Sequence, residues 1–159
     1  MCLTYSEEAS KKFWKTKSRK GKTWCWAYKF YRSDLGTVVT AVVNYTTSVD
    51  AGWIKSDRQY RDPGEDYYDH DPNQYHSIIT RSFIDVNRGI HVISRSQTLP
   101  DWHNRIAQYN QTQMGITSPL CLVRVKCYKK DFVGADIEGN AVFMKVFLPK
   151  TEYRRILKK

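Results

Sequence analysis

The sequence predicts an α+β fold: a mainly antiparallel, twisted sheet of about five or six strands, with one core-packed helix and a peripheral N-terminal helix. Residues 24–31 and 120–128 alternate with a period of two, the signature of half-buried strands. Residues 98–110 instead carry apolar side chains at helical spacing behind a capping residue. The 159 residues are the usual size of one domain and are expected to form a single unit spanning 1–159.

Ser6, then Glu7 and Glu8, then Lys11, Lys12 and Lys15 place acids before bases, the order a helix dipole favours. A helix over residues 6–16 follows, with Tyr5, Ala9 and Phe13 as its buried stripe. Residues 18–22, with Gly21, read as a basic turn. From Thr23 the chain alternates, with Trp24, Trp26, Tyr28 and Phe30 on one face and Cys25, Ala27, Lys29 and Tyr31 on the other. The aromatic face is expected to meet the helix layer. Asp34, Leu35 and Gly36 break this strand, and the Val-rich stretch 37–46 makes a hairpin partner for it.

Residues 48–75 lose periodicity apart from a short strand at 53–55, and an acidic loop over about 56–75 gathers Asp57, Asp62, Glu65, Asp66, Asp69 and Asp71. Its spacing matches no calcium loop, so no metal is assigned there. Strands are expected again at 76–83 and 89–94. In the second helix Thr98 and Asp101 have capping-box spacing, Pro100 suits the first turn, and Leu99, Trp102, Ile106 and Tyr109 face the core. A strand at 120–128, a turn at 131–140, a strand at 141–148 and a short basic helix or tail at 151–159 complete the chain.

The charge is strongly one-sided. The formal net charge is +10, and residues 9–33 hold nine cations without a carboxylate. Lys11, Lys12, Lys15, Lys17, Arg19, Lys20 and Lys22, with Trp14 or Trp24 as a stacking face, point to nucleic acid or an acidic protein as partner. For these aromatics the plainer alternative is a place in the core, and for the lysines a solubilising surface. His91, in an apolar strand, together with Tyr31 and Glu138 defines a possible ligand pocket; a hydrogen-bonded structural histidine is the plainer reading. No phosphate-cradling glycine loop, GxSxG elbow or HExxH occurs, so no catalytic residue and no cofactor is assigned.

Cys2, Cys25, Cys121 and Cys127 form no CxxC pair, and Cys121 and Cys127 lie roughly 20 Å apart along one strand face. Buried, reduced thiols in a cytoplasm follow. The first residues hold no apolar run of a secretory signal, and no stretch is long enough to span a bilayer, so no membrane partner is expected. The oligomeric state is left open.

RGIHVIS, a helix, and then CLVRVKCYKKDFVGADIEGNAVFMKVFL resemble a small module of uncharacterised bacteriophage and giant-virus proteins, in which a GIHVF- or GIHFF-like strand precedes a helix and two strands. The likeness covers residues 87–148, with a looser match at Cys2 and WAYKFYRS, and departs at the acidic loop and at 95–98. It implies an α+β fold and a viral accessory origin, hence a host-cell cytoplasm, and it brings no activity or catalytic residue. The reading that results is a non-enzymatic accessory protein binding nucleic acid or an acidic host macromolecule through its basic N-terminal face. The alternatives are a nucleotide-acting or nucleotide-sequestering protein with a pocket near His91, and a virion-associated structural protein.

Overall fold

A computed structural model describes residues 3–41, 48–55, 83–86 and 89–158. Cys2, the acidic loop at 56–75 and most of the strand expected at 76–83 lie outside these residues. The fold is α+β, with more strands than the sequence suggested: an eight-stranded antiparallel sheet and a separate two-stranded ribbon.

The strands are β1 (Leu3–Ser6), β2 (Trp24–Asp34), β3 (Thr37–Thr40), β4 (Gly52–Lys55), β5 (Phe83–Val86), β6 (Ile90–Ile93), β7 (Leu120–Tyr128), β8 (Phe132–Ala135), β9 (Asn140–Phe143) and β10 (Lys145–Leu148). The helices are α1 (Glu7–Phe13), α2 (Leu99–Met114) and α3 (Lys150–Leu157). The sheet order is β4-β10-β7-β2-β6-β9-β8, with β3 on β2, while β1 pairs with β5. The extra strands arise from short segments whose sequence resembles a turn or one continuous strand. Residues 132–135 supply β8, and residues 140–148 divide into β9 and β10 at Met144.

That division lets one run of chain serve both arms of the sheet. β9 pairs with β6 and β10 with β7, while β6 and β7 both pair with β2. β9 and β10 are not paired with each other, so the hydrogen-bonded order stays open from β4 to β8; the run of chain through Met144 reaches from β6 across to β7 and curls the sheet around an interior. Into it point Ala27, Tyr31, Val92, Val123, Val125, Cys127, Phe143 and Val146, all at 2% exposure or less. Burying each of the larger side chains stabilises by about 1.5–3 kcal/mol. The principal core thus lies on the inner face of the curled sheet, where Phe13 and Trp14 at the end of α1 and Ile156 of α3 complete it.

Ser6 caps α1, its Oγ accepting from the Ala9 amide at 3.1 Å. The helix is not peripheral, however. Phe13 stacks on Phe132 with ring centres 4.9 Å apart, and Trp14 meets Phe132 and Phe143 edge-on, so the helix end seals part of the interior. Ser10 fixes it to β8 by accepting from the Ala135 amide at 2.8 Å. α3 packs against β2, β3 and β7, with Ile156 fully buried.

α2 lies on the outer face, over Phe30, Leu120 and Ile93, with Ile106 buried and Leu99 and Trp102 beside it. Asn110 is tied to the sheet region by donating from Nδ2 to the Ala41 carbonyl at 2.7 Å. The capping box does not form. Thr98 has helical backbone angles and its hydroxyl donates to the Arg95 carbonyl, because a single 3-10 turn, Ser96–Thr98, already leads into the helix.

The β2–β3 hairpin turns on two residues, with Asp34 opposite Thr37 and positive φ at both Leu35 (50°) and Gly36 (79°). This is the geometry of a type I′ turn, which matches strand twist but strains a residue with a branched side chain. Leu35 is fully exposed, so nothing packs against it in return. Leu35→Asn is expected to raise unfolding stability by about 0.5–1 kcal/mol, read from paired urea denaturation curves; no gain would show that this turn is not strained.

Candidate nucleic-acid interface

β2 has two unlike faces. Cys25, Ala27 and Tyr31 point inward, while the even-numbered side chains point outward, opposite the even-numbered residues of β7. α2 covers Phe30 and half-covers Tyr28, but stops short of Trp24 and Trp26, which remain 37% and 38% exposed. The aromatic face therefore meets the helix layer over only part of its length. This corrects the expectation for Trp24 and Trp26.

The register extends that open face across four strands. Trp26 lies opposite Lys126, Lys126 opposite Phe147, and Phe147 opposite Trp53, forming one lateral row through β2, β7, β10 and β4. In the neighbouring pairs Trp24 lies opposite Tyr128, and Tyr28 opposite Arg124. At about 4.8 Å per strand, Trp26 and Trp53 stand roughly 14 Å apart.

Cations sit over the rings. Lys126 Nζ lies 5.1 Å from the centre of Trp24 and 5.4 Å from that of Trp26, Arg124 Cζ lies 4.8 Å from Trp26, and Lys145 Nζ lies 4.9 Å from Trp53. Trp53 also meets Tyr128 and Phe147, each with centres 5.3 Å apart. No carboxylate occupies the outward positions 24, 26, 28, 53, 55, 124, 126, 128, 145 or 147. Each contact of this kind is worth about 0.5–1 kcal/mol at an exposed site. The cations hold the apolar face in water without neutralising its charge.

Of the N-terminal residues singled out from the sequence, Trp14 is 8% exposed and belongs to the core, so it offers no face to a base. Lys11 and Lys12 pair with Glu7 and Glu8 at 3.0 and 2.6 Å along α1. The second contact, a hydrogen bond first and a charge attraction second, holds the exposed Glu8 carboxyl below its ordinary pKa. Lys15, Lys17, Lys20 and Lys22 are exposed on the turns that lead to β2. Arg19 folds back, its guanidinium 3.9 Å over the Phe13 ring. The Lys129 amide donates to the Thr23 carbonyl at 2.8 Å, so the exposed Lys129 and the end of this basic turn meet beside Trp24 and Tyr128.

His91, Tyr31 and Glu138 do not assemble into a pocket. Tyr31 is fully buried inside the sheet, and burial raises its phenol far above the ordinary range. His91 lies one residue from the inward-facing Ile90 and Val92, on the opposite side of β6. Glu138 is exposed in the turn between β8 and β9. Among the described residues, no group of three His, Cys, Asp or Glu stands close enough to hold a metal ion, and no helix is long and apolar enough to cross a membrane.

The outer row escaped the sequence reading because Trp53, Lys126, Lys145 and Phe147 lie far apart in the chain and meet only through strand pairing. The alternation of charged Arg124 and Lys126 with buried valines was the one local sign of it. No known protein family, curated protein or solved structure matches the chain, so the likeness to phage and giant-virus modules stands on its motifs alone.

One inward position is charged. Lys29 reaches from β2 and donates to the His91 carbonyl of β6 at 2.8 Å, just past the Tyr28–Ile93 pair where the two strands part. Burial pushes its pKa down to about 8, with Cys127 acting weakly the other way. Below that value the amine is protonated in both the folded and unfolded chain, and folding bears the cost of burying the charge. Between about 8 and the ordinary lysine value the unfolded chain binds more protons, so this penalty falls as pH rises. Cys25, pushed up to about 11 by burial, contributes the opposite trend in the wild-type curve. The stability of Lys29→Met relative to wild type should therefore decline by on the order of 1–3 kcal/mol from pH 7.5 to pH 10 in denaturant titrations; a constant difference would mean that the amine is not desolvated.

Proposed function

We propose that the chain is a non-enzymatic accessory protein that binds single-stranded nucleic acid across the outer face of β2, β7, β10 and β4. The observation that carries this reading is the row Trp53, Phe147, Lys126 and Trp26, an aromatic surface threaded with cations and free of carboxylates. Splayed bases stack on such rings whatever their sequence, while ammonium and guanidinium groups meet the phosphates between them. A duplex keeps its bases stacked on one another and would meet only the charge. The span of roughly 14 Å suits two or three unstacked bases, about the number a small sheet accommodates.

The basic turn at 15–22 extends the positive surface beyond the Trp24 end of this row, so the sequence-derived basic face becomes an electrostatic approach to a stacking site. Stacking is worth about 1–3 kcal/mol per base, more than an exposed ion pair, which contributes about 0–1 kcal/mol. The indoles therefore set affinity in this reading, and the lysines set the rate of encounter and the salt dependence.

Fluorescence anisotropy with labelled single-stranded DNA and RNA across a salt series tests it. Trp26→Ala and Trp53→Ala should each weaken binding roughly 5- to 100-fold, and Lys126→Ala should lower the log–log salt slope by about one. Equal competition by polyglutamate matched in charge, or unchanged affinity in the double tryptophan variant, would show that charge alone is recognised and would overturn the assignment.

A further inference from the structure

A second feature lies away from the outer row: a cleft of about 270 Å3 between α1 and the turn at 136–139, below the size of drug-binding pockets. Arg19 and Arg95 both line it. Arg19 is held on one edge, its Nε donating to the Phe13 carbonyl at 2.8 Å while its plane lies on the Phe13 ring, which leaves its two terminal nitrogens for another partner. The Arg95 stem runs along Gly139. A Cβ there would come within 2.5 Å of Arg95 Cγ, so only glycine lets this arginine lie where it does.

The other polar groups of the cleft are already committed. Glu8 pairs with Lys12. Asp136 accepts from the amides of Glu138 and Asn140 and from Asn140 Nδ2. The hydroxyls of Ser94 and Thr16 donate to the carbonyls of Gly139 and Phe13, and Ser6 Oγ caps α1. Two guanidinium groups therefore remain, and neither has a carboxylate within ion-pairing distance among the described residues. Burial lowers the proton affinity of Arg19, Cys25 acts the other way, and the like charge of Arg95 lowers it again.

We propose that this cleft binds a phosphate monoester, with Arg19 and Arg95 as its paired donors. A dianion with three terminal oxygens relieves the repulsion between two cations and accepts from both planar forks, which a single carboxylate charge does less well. The phosphate can belong to a free nucleotide or to the end of a strand. The site does not depend on the outer-row reading.

Calorimetric titration with adenosine 5′-monophosphate and with adenosine provides the test. The monophosphate should bind at least tenfold tighter, and Arg95→Gln, a change at an exposed side chain, should abolish that preference while leaving the melting temperature unaltered. Arg95→Lys should restore only part of it, because an ammonium lacks the fork. A 5′-phosphate that tightens oligonucleotide binding in wild type but not in Arg95→Gln identifies a strand end as the ligand; a preference confined to the mononucleotide identifies a free nucleotide. Equal affinity for monophosphate and nucleoside, or a preference that survives Arg95→Gln, overturns the proposal. So does a preference lost in the Trp26→Ala, Trp53→Ala double variant, since the phosphate would then sit on the outer row.

Discussion

The nine-residue ladder between β2 and β7 is the constraint on which the molecule depends. Because side chains alternate across a strand, one register decides two surfaces at once. Cys25 opposite Cys127, Ala27 opposite Val125, and Tyr31 opposite Cys121 fill the interior, the large Tyr31 ring facing a small thiol. The same register sets Trp26 beside Lys126 and Trp24 beside Tyr128 on the outside. A slip of one residue would bring Lys126 and Arg124 inside and expose the valines. Deep burial of the inward set therefore holds the outward set in place, and the interface geometry follows from the core.

Some of this was legible in the chain. The alternation in residues 120–128 predicted β7 at its exact bounds and placed Cys121 and Cys127 on one buried face. The acid-before-base order of α1 and the turn at Leu35–Gly36 are local chemistry, and both were readable for that reason. Helix α2 was also legible, though its entry was not: Thr98 prefers the Arg95 carbonyl to the cap position once a 3-10 turn precedes the helix.

Non-local facts were hidden. Nothing near Trp24 and Trp26 says that α2 ends its coverage at Tyr28, and nothing near Phe13 and Trp14 says that Phe132 and Phe143 will meet them. An aromatic on a strand reads the same whether a helix covers it or water does. The division at Met144 was equally silent, since β9 and β10 look like one strand until their different partners are known. Charge was legible as a total but not as a pattern: Lys11 and Lys12 are tied to glutamates on their own helix, whereas Lys126 and Lys145 lie over indoles.

The junction at Met144 also bears on how the fold is reached. One continuous run of chain, β9 and then β10, sews β6 to β7, and it follows both of them in sequence. While the chain is being synthesised, each of those strands presents an unpaired edge that no earlier described strand on that side protects. Pairing this run with β6 and β7 is then a late event made from distant partners, a slow kind of step. Until it happens the nascent protein carries two adhesive borders together with its uncovered tryptophans.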